Sequence, residues 1–96
     1  MDKYLYLINL YDYYGDLFTD KQQEYFKDYY FDNLSLSEIS QNHNISRNAI
    51  HKQLKTIENR LLYYEEALNL YQKSQKIKKI IEPLDKDIQN KIEELI

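Results

Sequence analysis

The sequence predicts an all-α fold, and three observations carry that prediction. The 96 residues include one glycine and one proline, so the chain is poor in the residues that make turns. Thr19 with Gln22 and Ser35 with Glu38 form capping boxes, each followed by apolar residues at helical spacing. From Ile50 to Tyr71, apolar residues recur at alternating intervals of four and three. The expected architecture is a four-helix body containing a helix-turn-helix, with a long fourth helix and a C-terminal helix. Residues 1–72 read as the helical domain and 73–96 as its extension.

The first helix runs from about Lys3 to Tyr14, with Tyr4, Leu7, Ile8, Tyr11 and Tyr14 on one side. Gly15 stands where a left-handed C-cap would end it. Thr19 opens a second helix bearing Tyr25, Phe26, Tyr29 and Tyr30, which stops near Asp32 and Asn33. Ser35 opens a short third helix that buries Leu36 and Ile39, with Ser40 small enough for close approach. Asn44 suits the following turn because asparagine tolerates positive φ, and Ile45 is expected to plug the angle between the two helices. Ser46 caps the fourth helix.

That helix carries Ile50, Leu54, Ile57, Leu61, Tyr64, Leu68 and Tyr71 as one seam. A seam of three heptads must bury against the first helix, against a second subunit, or both, which makes a homodimer through the fourth helix one reading. The pattern fails at Gln75 and Lys78. Pro83 is expected at the first position of a last helix bearing Leu84, Ile88, Ile92 and Leu95. Among the tyrosines, Tyr11, Tyr25, Tyr29 and Tyr64 read as core, and Tyr6, Tyr13, Tyr30 and Tyr63 as outward-facing.

The stretch from Leu34 to Leu54 has the layout of a helix-turn-helix. With Ile45, Ile50 and Leu54 facing inward, Arg47, Asn48, His51, Lys52 and Lys55 fall on the outer face of the second helix. These side chains can bond base edges in the major groove or the phosphates beside it. Ser46, with the free N–H groups at the helix start, and Lys55 are the expected phosphate contacts. The charge distribution agrees. Net charge is −3, and residues 1–34 hold 3 basic and 7 acidic groups, but residues 35–60 hold 4 basic and 2 acidic.

The run from Leu7 to about residue 70 resembles the YlxM-type helix-turn-helix proteins of low-GC Gram-positive bacteria and mollicutes. Its most specific elements are Phe18-Thr19-Asp20-Lys21-Gln22, the pair Tyr29-Tyr30, the segment Ser35 to Ile39, and Ser46 to Ile50. The resemblance implies a fold like region 4 of bacterial sigma factors, a regulatory DNA-binding role, and a link to the signal recognition particle pathway, whose genes neighbour those of the family. The sequence departs from the family pattern at Asn44 (usually glycine), Asn48 (often glutamine) and His51 (often tyrosine), and the last two alter the side chains offered to bases.

Other classes find little support. The absence of cysteine removes disulfides and thiolate metal sites and suits a reducing cytoplasm. No apolar run approaches the ~20 residues of a membrane span, and the start does not build a secretion signal. His43 and His51 lie on different helices, so neither a metal nor another cofactor is expected. No glycine-rich phosphate loop or glycine-flanked nucleophilic serine occurs, so an enzyme is not expected. The basic run Lys73, Lys76, Lys78 and Lys79 reads as a solvated helix end, with lipid or RNA phosphate as the alternative. Two functions stay open: a DNA-binding regulator, and a protein-interaction module that docks a signal recognition particle GTPase or its RNA.

Overall fold

The computed structural model describes residues 2–96 and is all-helical over that range. Six α-helices follow in order: α1 (Lys3–Tyr14), α2 (Asp20–Tyr30), α3 (Leu36–His43), α4 (Arg47–Leu68), α5 (Leu70–Ile81) and α6 (Lys86–Glu93). A 3-10 turn, Gly15–Leu17, joins α1 to α2. The predicted N-caps at Thr19, Ser35 and Ser46 form. Thr19 and Ser35 each complete a capping box, and Asp2, Ser46 and Asp85 accept a hydrogen bond from the first turn of their helices. Such caps satisfy N–H groups that have no partner within the helix.

Helices α1 to α4 close one core. Leu10 and Phe26 join Ile39, Ile50, Ile57 and Leu61 in full burial, and Leu7 is nearly so. The ring of Tyr11 stacks on Phe26 at 4.2 Å, and Phe26 stacks on Tyr30 at 4.3 Å. Tyr30 therefore points inward, not outward as its sequence position suggested, because its hydroxyl has a buried acceptor. It donates to Glu58 at 2.6 Å, and burial with this carboxylate holds the phenol well above its ordinary pKa. Tyr4 spans α1 and α2 by donating to the Tyr30 carbonyl.

Three local expectations change. Gly15 is right-handed, with φ −56° and ψ −36°, so it does not serve as a left-handed cap. Its value is space, since a Cβ there would sit 2.9 Å from Cζ of Tyr11. Ile45 is 36% exposed and plugs nothing. Asn44 takes the left-handed conformation, and the N–H of Ile45 closes on the Ser40 carbonyl at 3.1 Å, a C-cap geometry that leaves the isoleucine side chain at the rim. Pro83 lies in the turn before α6 rather than at its first position. Asp85 caps that helix because its carboxylate can accept from Ile88 N–H at 3.0 Å.

The largest change concerns the seam. It breaks at Asn69, which adopts φ 57° between α4 and α5 without any glycine or proline. Buried Glu65 holds the joint. Its carboxylate accepts from the Tyr14 hydroxyl at 2.6 Å, from Tyr71 N–H at 3.1 Å and from Gln72 N–H at 2.9 Å. Glu65 thereby supplies the first turn of α5 with the acceptors that an N-cap side chain would give. The Tyr14 hydroxyl also accepts from Leu70 N–H at 3.0 Å. Burial and the neighbouring carboxylate push the Tyr14 pKa up to about 12. Beyond the joint, α5 packs on α1, where Tyr13 donates to Ser74 Oγ at 2.7 Å.

The extents, 51 × 25 × 24 Å, and a radius of gyration of 16.2 Å describe an elongated molecule. A compact chain of this length would have a radius near 12–13 Å. The α5–α6 hairpin accounts for the excess, since the fully buried cluster draws no residue from either helix and Tyr71 of α5 packs only at its edge.

Candidate nucleic-acid interface

Two helix starts and one turn build the candidate interface. Ser35 and Glu38 fix the start of α3, and Ile39 drives that helix into the core. Asn44 at φ 55° reverses the chain within one residue. Ser46 Oγ then accepts from Ala49 N–H at 3.0 Å and launches α4. Ile50, Leu54, Ile57 and Leu61 lock the inner face of α4 against α1, α2 and α3. The orientation of α4 is therefore set by its buried side, and its outer side needs no contact to hold it.

All six residues singled out from the sequence are exposed: Ser46, Arg47, Asn48, His51, Lys52 and Lys55. Arg47, His51 and Lys55 form one i, i+4, i+8 row, and Asn48 and Lys52 form the row beside it. At 1.5 Å per residue the first row is about 12 Å long. The width of a major groove is similar, about 12 Å. Among the described residues Arg47, His51 and Lys52 have no ion-pair partner. An arginine or asparagine so placed can make the paired hydrogen bonds that distinguish guanine or adenine.

Lys55 differs from the others. Its ammonium lies 3.6 Å from Glu58, so part of its charge is already answered before any phosphate arrives. Lys3, from the start of α1, lines the same open cleft as Lys55, a space of about 240 Å³ that also exposes Tyr4 and Tyr29. Nothing in the linear sequence links Lys3 to residue 55, and only the packing of α1 on α4 brings them together.

The two histidines separate. His51 stays on the outer row. His43 ends α3 with its ring edge-on to Tyr25 and Nε2 2.9 Å from Asp28, with Glu24 3.8 Å from Nδ1. Its neighbours are therefore carboxylates supplied by α2, a pairing the linear spacing did not reveal. Among the described residues no group of three His, Cys, Asp or Glu side chains is placed to hold a metal ion. No helix among them is long and apolar enough to cross a membrane.

Comparison with known proteins gives a consistent picture. A family model described as "Putative helix-turn-helix protein, YlxM / p13 like" matches residues 1–96. The UPF0122 protein of Caldanaerobacter subterraneus subsp. tengcongensis is 46% identical over 83 residues, covering 86% of this chain and 71% of that protein. The UPF0122 protein of Bacillus licheniformis is 44% identical over 89 residues, covering 91% and 83%. That of Malacoplasma penetrans is 52% identical over 59 residues, covering 62% and 55%.

Proposed function

Since the chain belongs to the YlxM / p13-like helix-turn-helix family, we propose that it is a non-enzymatic, cytoplasmic DNA-binding regulator that reads the major groove with the outer face of α4. The observation that carries this reading is the division of α4 into a buried row, from Ile50 to Leu61, and an exposed polar row, from Arg47 to Lys55. In this reading Arg47, Asn48, His51, Lys52 and Lys55 form the reading face, with Ser46 and Lys55 as phosphate contacts. Residues 1–72 carry the activity and 73–96 form an extension. The family resemblance is what points to the signal recognition particle pathway, in which or on whose genes the regulator would act.

The acidic remainder of the molecule limits the affinity. Few phosphates are neutralised per chain, so binding is weak without a matching sequence and falls steeply with salt. Binding to a pool of random duplexes, selected at near-physiological salt, supplies a target. Anisotropy with that target at ~50 and ~200 mM salt then tests the face. The double substitution Arg47→Ala, Lys52→Ala is expected to weaken binding and to lower the salt slope by roughly 1–2. Unchanged affinity and slope would remove α4 as the reading element.

A second reading, docking to a signal recognition particle GTPase or its RNA, is favoured by one feature. Tyr63 is 65% exposed, next to the partly exposed Leu62, on a stretch of α4 beyond the proposed reading face. Recovery of a targeting GTPase from lysate after nuclease treatment, lost on Tyr63→Ala, would favour that reading over DNA.

A further inference from the structure

Along α4 the first four seam residues are spent inside one chain, while Leu62, Tyr63 and Leu68 stay exposed. Ile50, Leu54, Ile57 and Leu61 are all buried in the body. Further unspent apolar surface lies on the α5–α6 hairpin. Helix α6 buries no residue, and Ile88 on it, with Leu84 before it and Leu95 after it, remains exposed, Leu95 at 84%. Ile80 on the facing helix is 72% exposed. A groove of about 310 Å³ lies beside α5, walled by Leu70 and Ile77 of that helix, Tyr13 of α1, and Leu95 and Ile96 after α6.

Charge indicates what covers this surface. Helix α5 carries Lys73, Lys76, Lys78 and Lys79 and no carboxylate. Residues 82–96 carry five carboxylates against two lysines. Among the described residues no ion pair joins the two helices, since the one pair in the hairpin, Lys91 with Asp87, lies within α6. The hairpin thus sets a basic helix, α5, beside a segment that is balanced within α6, where Lys86 and Lys91 offset Asp87 and Glu93, and acidic at its two ends through Glu82, Asp85 and Glu94. A surface with that pattern is complementary to itself when rotated by half a turn.

We propose that the α5–α6 hairpin is a self-association surface, on which a second copy of this chain seats its own hairpin with α5 of each chain against α6 of the other. Leu84, Ile88 and Leu95 then leave water, and the lysines of α5 meet the carboxylates at the two ends of the partner's α6. The arrangement stands whether or not α4 binds nucleic acid. It also leaves both α4 outer faces free, since the hairpin lies outside the core that carries them. The surface is small, the longer helix spanning about 18 Å, and so smaller than the ~800 Å² per partner of a standard interface. The expected association is therefore in the micromolar range.

Sedimentation equilibrium from ~5 to ~200 μM tests it. The unsubstituted chain is expected to dimerise across that range, and Ile88→Lys with Leu95→Asp to weaken the dimer at least tenfold while the helical circular dichroism is retained. Two charge variants make the test specific to this pairing. Lys73→Glu, Lys76→Glu, Lys79→Glu makes the whole hairpin acidic, and Asp87→Lys, Glu93→Lys, Glu94→Lys makes it basic. Each alone is expected to be monomeric, and their mixture to form a heterodimer. A chain monomeric at ~200 μM overturns the proposal, and so does a dimer indifferent to Ile88→Lys with Leu95→Asp. Folded charge variants that stay apart on mixing overturn it too. A monomer that instead pellets with vesicles of anionic phospholipid assigns the lysines of α5 to lipid, which also overturns it.

Discussion

Helices α3 and α6 are the same length, Leu36–His43 and Lys86–Glu93, and each is opened by a side chain that accepts from its third residue. Their fates differ. Helix α3 places Ile39 wholly inside the body, whereas α6 buries nothing although Leu84, Ile88, Ile92 and Leu95 repeat at helical spacing. A cap and an apolar stripe decide where a helix begins and which side is greasy. Whether that side contributes to stability depends on a partner surface, and most helical stability comes from such packing. The body has its partner within the chain, and the hairpin looks outside it.

The largest expected effect tests that contrast directly. Phe26→Ala removes a ring stacked between Tyr11 and Tyr30 and is expected to cost ~3–5 kcal/mol in urea unfolding. Ile88→Ala, measured at a concentration where the chain is monomeric, is expected to cost less than ~0.5 kcal/mol. Equal costs would mean that α6 is part of the same core.

Next comes the joint between the two regions. Glu65→Ala strands the Tyr14 hydroxyl and two N–H groups of α5, with an expected cost of ~2–3 kcal/mol. Hydrogen exchange locates the loss: protection should fall in α5 and α6 well before it falls in α2. Uniform loss across the chain would show the joint to be part of the body.

Alkaline pH sharpens the same point. The Tyr14 pKa is about 12 in the folded chain against an ordinary 10.0, so between these values the unfolded chain loses a proton that the folded chain keeps. Stability is accordingly level below pH 10 and falls as pH rises from 10 towards 12, by on the order of 2 kcal/mol for this group. Tyr30, also raised, acts with the same sign. Thermal melts across that range are expected to decline less steeply in Tyr14→Phe. An identical decline would detach Tyr14 from the effect.

The smallest effect concerns the turn of the helix-turn-helix. Asn44→Gly at φ 55° relieves the small penalty an L residue bears there, and is expected to change stability by under ~1 kcal/mol, in the stabilising direction. A loss on that substitution would mean that the asparagine side chain holds the turn.

Much of the body was legible because its signals are local. Thr19 with Gln22, and Ser35 with Glu38, are capping boxes in the sequence and in the fold. Ser46 and Asn44 mark the turn before α4, and the exposure of Arg47, Asn48, His51, Lys52 and Lys55 follows from the burial of Ile50 and Leu54 four residues apart. Glu58 and Glu65 were illegible because a carboxylate reads as a solvated group until a tyrosine from another helix donates to it. Ile45 misled because its apolar character says nothing about a backbone closure that turns it to the rim. The seam through Leu68 and Tyr71 misled because periodicity continues across a joint made by distant groups.

The sequence by itself determined where the helices of the body start, which side of each seeks the core, and which side of α4 meets solvent. These follow from hydrogen-bond valence at helix ends and from a 3.6-residue period, both properties of short segments. Only the tertiary structure decided the break at Asn69, the inward turn of Tyr30, the cleft that Lys3 and Lys55 share, and the unburied face of α6. Each of those depends on what a distant part of the chain brings alongside: an acceptor for a phenol, a second ammonium group, or no apolar neighbour at all.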